Sequence, residues 1–164
     1  MENIIKEING CLDNQYYFAA LSLALTLPNI CASYEKKAKA NGIEYADWCN
    51  RYVKDELEID GAIIYALRCG MFHALSADFA EEKAYKNYLN SQQEQGETRQ
   101  QSFRFYFPHS GASEPVIDYE ELDGEIKRMP CISHMICALI RGYEQFVQDN
   151  QEFSHDFKNL YFEG

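Results

Sequence analysis

The chain has 164 residues, of which 26 are acidic and 15 basic, giving a net charge of −11. An acid excess of this size argues against broad, nonspecific nucleic-acid binding, which requires clustered Lys and Arg against phosphate. Hydrophobic residues make up 46% and aromatics 14%, which argues against a disordered chain and suits one compact domain with a real core.

The opening MENIIKEING has acidic residues and no long apolar stretch, so it does not read as a secretory signal. The apolar run Leu21–Leu27 is shorter than the roughly 18 residues of a membrane span, so no membrane association is expected. The expected location is cytoplasmic. The six cysteines, at 11, 31, 49, 69, 131 and 137, contain no CxxC pair and read as reduced, mostly buried thiols.

Ile5, Ile8, Leu12, Tyr16, Ala19, Leu23 and Leu27 recur at spacings of three and four, which predicts helix with one apolar stripe. Gly10 and Asp13-Asn14 interrupt it, and Asp13 is expected to cap a second segment reaching about Leu27. Thr26-Leu27-Pro28 marks a boundary, because proline is tolerated in a first turn. The next helix is expected to stop at Asn41-Gly42. Another covers about Glu44 to Leu57, with Tyr45, Trp48, Cys49 and Tyr52 inward. Lys36, Lys37, Lys39, Arg51 and Lys54 form the densest cationic neighbourhood and read as a solvated helix face.

Asp60-Gly61 opens the helix that carries "YALRCGMFHAL", residues 65–75, with Ile64, Leu67, Met71 and Ala74 as its apolar seam. Residues 79–90 read as a polar helix and 91–101 as a polar connector. The period then changes to two. Phe103, Phe105 and Phe107 alternate with Arg104 and Tyr106, which predicts a strand ended by Pro108. PVIDYE is its expected partner, so a β-hairpin insertion is placed at about 102–120. After Pro130 the helical stripe returns through Ile132, Ile136, Leu139, Tyr143 and Phe146. The expected architecture is all-α: an up-and-down bundle of four to five core helices with a small β-hairpin, as one domain over 1–157. Residues 158–164, ending NLYFEG, resemble a protease-tag remnant, from which Lys158 and Glu163 depart.

Residue type and spacing admit several chemistries. Cys131-x2-His134-x2-Cys137 has metal-ligand residue types, but residues three apart on a helix splay by about 60° per step. Core packing is the expected role, with no metal. Cys69 stands four residues before His73, a spacing open to a Cys–His dyad, but a thiol between Leu67 and Met71 reads as a small hydrophobe. Neither GxxxxGK[ST] nor GxGxxG occurs, and no cofactor is expected.

Arg68 and His73 make an R-x4-H pair inside one uninterrupted amphipathic helix. Arg104-x4-His109 and Arg128-x5-His134 also occur, but each crosses a proline. Histidine can give or take a proton near neutral pH, and arginine offers a fixed fork of donors to phosphate oxygens. Five residues correspond to about 140° of helix turn and about 7.5 Å of rise, so the two can converge only with help from a second helix or a second subunit. On spacing alone they equally suit a polar flank and a satisfied core histidine.

The wording "YALRCGMFHAL", with the upstream "YYFAALSLALTLPNICASYE" and "YADWCNRYV", resembles the HEPN superfamily over about residues 10–76. The resemblance implies an all-helical domain, a composite site at a homodimer interface, and metal-independent RNA cleavage. His73 would be the general acid/base and Arg68 the phosphate anchor. RNA and a cognate antitoxin or other partner protein would be the partners, in stress response or phage defence, with no DNA expected. In nuclease members a polar residue often follows the arginine. Here Cys69 stands there, and with the acidity of the chain it favours the alternative of a noncatalytic dimerisation or binding module. A mononucleotide-binding regulator is the third candidate.

Overall fold

A computed structural model describes residues 2–74, 86–87, 90, 101–103, 106, 116–120 and 126–153. The helices are α1 (Glu2–Asp13), α2 (Tyr17–Ala24), α3 (Leu27–Lys36), α4 (Gly42–Tyr52), the single turn α5 (Lys54–Leu57), α6 (Gly61–Ala74) and α7 (Ile132–Asp149). Three short strands precede α7: β1 (Gln101–Phe103), β2 (Val116–Glu120) and β3 (Ile126–Pro130). The chain is a helical bundle with a small β-hairpin, as the periodicities predict.

α7 is the central element, packing on α2, α3, α4 and α5, while α4 also packs on α6. Its inner stripe is the predicted one, with Ile132, Ile136, Leu139, Tyr143 and Phe146 buried. Phe146 meets Tyr34, Trp48, Tyr52 and Phe153 edge-on, with ring centroids 5.2–6.3 Å apart. Phe153 lies beyond the end of α7 and is 1% exposed, so the chain is pinned there by its own aromatic ring.

The local starts and stops differ from expectation in instructive ways. Asp13 does not cap α2. It closes α1, where Asn14 Nδ2 donates to Gly10 O, and Gln15 takes a left-handed φ of 60°. That reversal resets the helical phase. Tyr16 is 65% exposed and Ala19 is also outside, while Ala20, Leu21, Ala24 and Leu25 turn inward. α3 begins at Leu27 with Pro28 in its first turn, as expected, but stops at Lys37, whose φ of 54° ends the helix. Asn41-Gly42 is therefore a start. Asn41 Oδ1 accepts from the amides of Ile43 and Glu44, and Glu44 Oε2 accepts from the Asn41 amide, a reciprocal capping box. The expected helix to Leu57 breaks at Val53 into α4 and α5.

The sheet order is β1-β3-β2. β2 and β3 form the antiparallel hairpin, with Asp118 opposite Arg128, and β1 joins β3 in parallel. The segments expected to pair with each other thus both pair with a third strand, Ile126–Pro130. Of the expected strand, Tyr106 bridges Cys131, while Phe105 and Phe107 lie outside the described residues. So do most of 79–90, although 86, 87 and 90 are helical, and the 158–164 tail.

Tyr17–Lys36 is long and apolar enough, by length and composition, to cross a membrane. It is divided into α2 and α3 by the turn at Leu25-Thr26, and Ala20, Leu21, Ala24, Leu25, Leu27 and Cys31 within it belong to the bundle core.

Candidate functional site

α6 is positioned at its N-terminus by three short contacts. Asp60 Oδ1 accepts from the Ala62 amide at 2.9 Å, as expected of a cap, and Asn50 Oδ1 accepts from the Gly61 amide at 2.7 Å. Gly61 sits so close to α4 that a Cβ there would lie 2.1 Å from the Ala46 carbonyl oxygen. One turn further on, the Tyr65 ring packs over Gly42. These contacts press α6 flat against α4. Ile63, Ile64, Ala66, Leu67, Cys69 and Met71 are buried along it, and its outer edge carries Arg68 and Phe72.

Arg68 is half-buried. Its Cζ lies 5.2 Å from the centre of the Phe72 ring, one helical turn away, in cation–π contact. Its Nε is shielded from solvent and meets no acceptor among the described residues. Behind it stands Tyr45, fully buried, whose hydroxyl donates to Leu25 O at 3.0 Å. Burial pushes that hydroxyl well above its ordinary range, and the nearby Arg68 charge pulls weakly the other way.

Four other cations are paired with acids, while Lys37 and Lys39 stand exposed. Arg51 makes a two-pronged contact with Glu35, Lys36 pairs with Glu44, and Lys54 pairs with Asp60. The cationic neighbourhood noticed in the sequence is thus largely neutralised by its own carboxylates, as a solvated helix face. Arg141 grips Glu56 through Nε and Nη2. Arg68 meets no carboxylate among the described residues. Unlike the exposed Lys37 and Lys39, it is half-buried with a shielded Nε, and an arginine stays charged whatever surrounds it.

The backbone of His73 continues α6, so Arg68 and His73 share one unbroken helix. The His73 side chain lies outside the described residues. Cys69 is 6% exposed, a small core residue as its neighbours imply. The Cys131, His134 and Cys137 side chains go separate ways. Cys131 Sγ touches Ser133 Oγ at 3.2 Å, His134 Nε2 lies 3.3 Å from Glu56 Oε1 without hydrogen-bond alignment, and Cys137 is half-buried. Among the described residues no three His, Cys, Asp or Glu side chains converge as a metal site would require. Arg128 donates to the Glu58 carbonyl, so the Arg128–His134 pair is drawn to the α5 segment, by contacts within the chain. Cys31 and Cys49 are buried thiols whose pKa is pushed up by desolvation, so little thiolate forms and they are poor nucleophiles.

Sequence reasoning missed Phe72. Its signal was the i, i+4 spacing from Arg68. In comparisons with known proteins, no family model, no curated protein and no solved structure matches this chain.

Proposed function

We propose that this chain is a HEPN-like, metal-independent RNA endonuclease of the cytoplasm, acting as a homodimer in stress response or phage defence. The observation that supports the reading best is the guanidinium of Arg68, half-buried on the same helix as His73 and unmatched among the described residues. Its shielded Nε is a donor left without an acceptor, and an unpaired buried donor costs stability. A phosphate would supply the missing acceptors in the fork geometry that arginine favours.

RNA carries its own nucleophile. The 2′-oxygen attacks phosphorus, the bond to the 5′-oxygen breaks, and the products end in a 2′,3′-cyclic phosphate and a 5′-hydroxyl. A base must take the 2′ proton and an acid must protonate the leaving oxygen. His73 serves one of these steps, and the His73 of a second subunit is the natural source of the other. Arg68 holds the phosphate oxygens as charge builds on them. A partner protein such as an antitoxin would act by covering this helix.

The test compares wild type with His73→Ala and Arg68→Ala on structured and unstructured RNA in EDTA. Each substitution is expected to slow cleavage by at least about 100-fold. A wild type that cuts neither RNA, or variants that cut as fast as wild type, would end the nuclease reading.

The 45% exposure of Phe72 favours a second reading, a noncatalytic HEPN-like dimerisation module with this helix at its interface. A dimer by sedimentation that lacks any salt-dependent RNA affinity would support it.

A further inference from the structure

We propose that Phe72 is a stacking platform for an unpaired nucleobase, so that the Arg68 site takes single-stranded RNA, held at one phosphate and one base. The inference rests on the reading of Arg68 as a phosphate anchor and adds what lies next to that phosphate. Phe72 is 45% exposed, although the three residues before it, Cys69, Gly70 and Met71, are all buried. The Arg68 guanidinium stands over its ring at 5.2 Å. A guanidinium stacked on a ring keeps its donor edge free; here Nε is shielded from solvent, while neither Nη is among the buried atoms and neither bonds to a described residue, so the Nη pair is the edge that a phosphate can reach. The helix therefore presents two neighbouring elements: an open donor edge, and an aromatic ring reached by solvent.

That pairing fits a nucleotide in a flexible strand. In a duplex each base face is already covered by its neighbours, so a protein ring can stack only on a base that has been splayed out. The acidity of the chain points the same way. At charge −11, and with Lys36, Arg51 and Lys54 already paired to acids among the described residues, affinity is expected from a few short-range contacts more than from a broad basic face. Stacking is indifferent to salt, and one cation neutralises about one phosphate. The expected slope of log affinity against log salt is therefore shallow, about −0.7 per site on a single strand.

The test uses the full chain and a 2′-O-methyl RNA 12-mer, which lacks the nucleophile and is not cut, as a labelled single strand and as a duplex. Anisotropy titrations compare wild type, Phe72→Leu, Phe72→Trp and Arg68→Ala. Phe72→Leu is expected to weaken single-strand binding about 5- to 100-fold with the salt slope unchanged. Phe72→Trp is expected to retain binding and to lose fluorescence when the strand is added. The native Trp48 is fully buried and is the chain's sole tryptophan, so it serves as a constant background. Arg68→Ala is expected to flatten the slope. Three results would overturn the proposal: single-strand binding undiminished in Phe72→Leu, an equal loss for strand and duplex, or conversion of a dimer to monomers by Phe72→Leu without RNA. If wild type binds neither RNA, the phosphate-anchor reading itself falls. If Arg68→Ala loses affinity and Phe72→Leu does not, only the stacking role falls.

Discussion

Replacing Gly61 with alanine tests whether α6 is held where the site needs it. The added Cβ would sit 2.1 Å from Ala46 O, 2.9 Å from Ala46 C and 3.0 Å from Ala46 Cα. All three are backbone atoms of α4, so no side-chain rotation relieves the clash. The helices must separate by about 1 Å at this end, and a gap of that size forfeits a quarter to a half of each affected dispersion contact. Overpacking of this kind costs about 1–3 kcal/mol, and the rigid backbone on both sides puts Gly61→Ala near 3. For a chain of this length that corresponds to a fall in melting temperature of about 6–12 °C. Gly10→Ala is the matched control. A Cβ added there would meet nothing within 4 Å, and the position lies within α1, so the change should raise stability by about 0.5–1 kcal/mol. Thermal melts followed by circular dichroism at 222 nm measure both. A Gly61→Ala protein melting within 2 °C of wild type, or both variants moving in one direction, would refute the packing argument.

Two further outcomes follow from buried and paired groups. Tyr143→Phe removes a buried hydroxyl that has no acceptor among the described residues, so urea unfolding should show stability unchanged or raised by about 1 kcal/mol; a loss above 1 kcal/mol would reveal a partner for that oxygen. The Arg141 guanidinium beside Glu56 holds its carboxyl below the ordinary 4.5, with His134 adding to the effect. A depressed acid contributes stability that is complete above its unfolded value and disappears as pH falls through the folded one. Glu56→Gln should therefore be less stable than wild type at pH 7, by under about 1 kcal/mol given the exposure of both side chains, and the difference should be smaller at pH 3, below the ordinary carboxylate range. Urea midpoints at the two pH values check the sign.

The fold was most legible where one local signal had no competitor. The Ile132–Phe146 stripe and the Asp60-Gly61 start needed only periodicity and a carboxylate before a helix. Asn41-Gly42 carried two signals, since glycine suits a stop and Asn41-x-x-Glu44 suits a start; the reciprocal hydrogen bonds decided for the start. β3 was invisible because Ile-Lys-Arg-Met-Pro lacks both alternation and β-branched density, and its partners lie elsewhere in the chain. At the candidate site the spacing of Arg68 and His73 was readable. That Arg68 meets no acid among the described residues and that Phe72 turns outward was not, because both depend on which residues other helices bring alongside.

The position of α7 carries a consequence for how the protein is made. Because the last long helix fills the space between α2, α3, α4 and α5, the earlier helices leave the ribosome with their greasy faces uncovered. Synthesis from residue 74 to residue 149 takes about 4–15 s at ordinary elongation rates. For that interval the nascent chain is a natural client for chaperones, and a stop codon that deletes α7 would yield an aggregating fragment in place of a smaller folded protein.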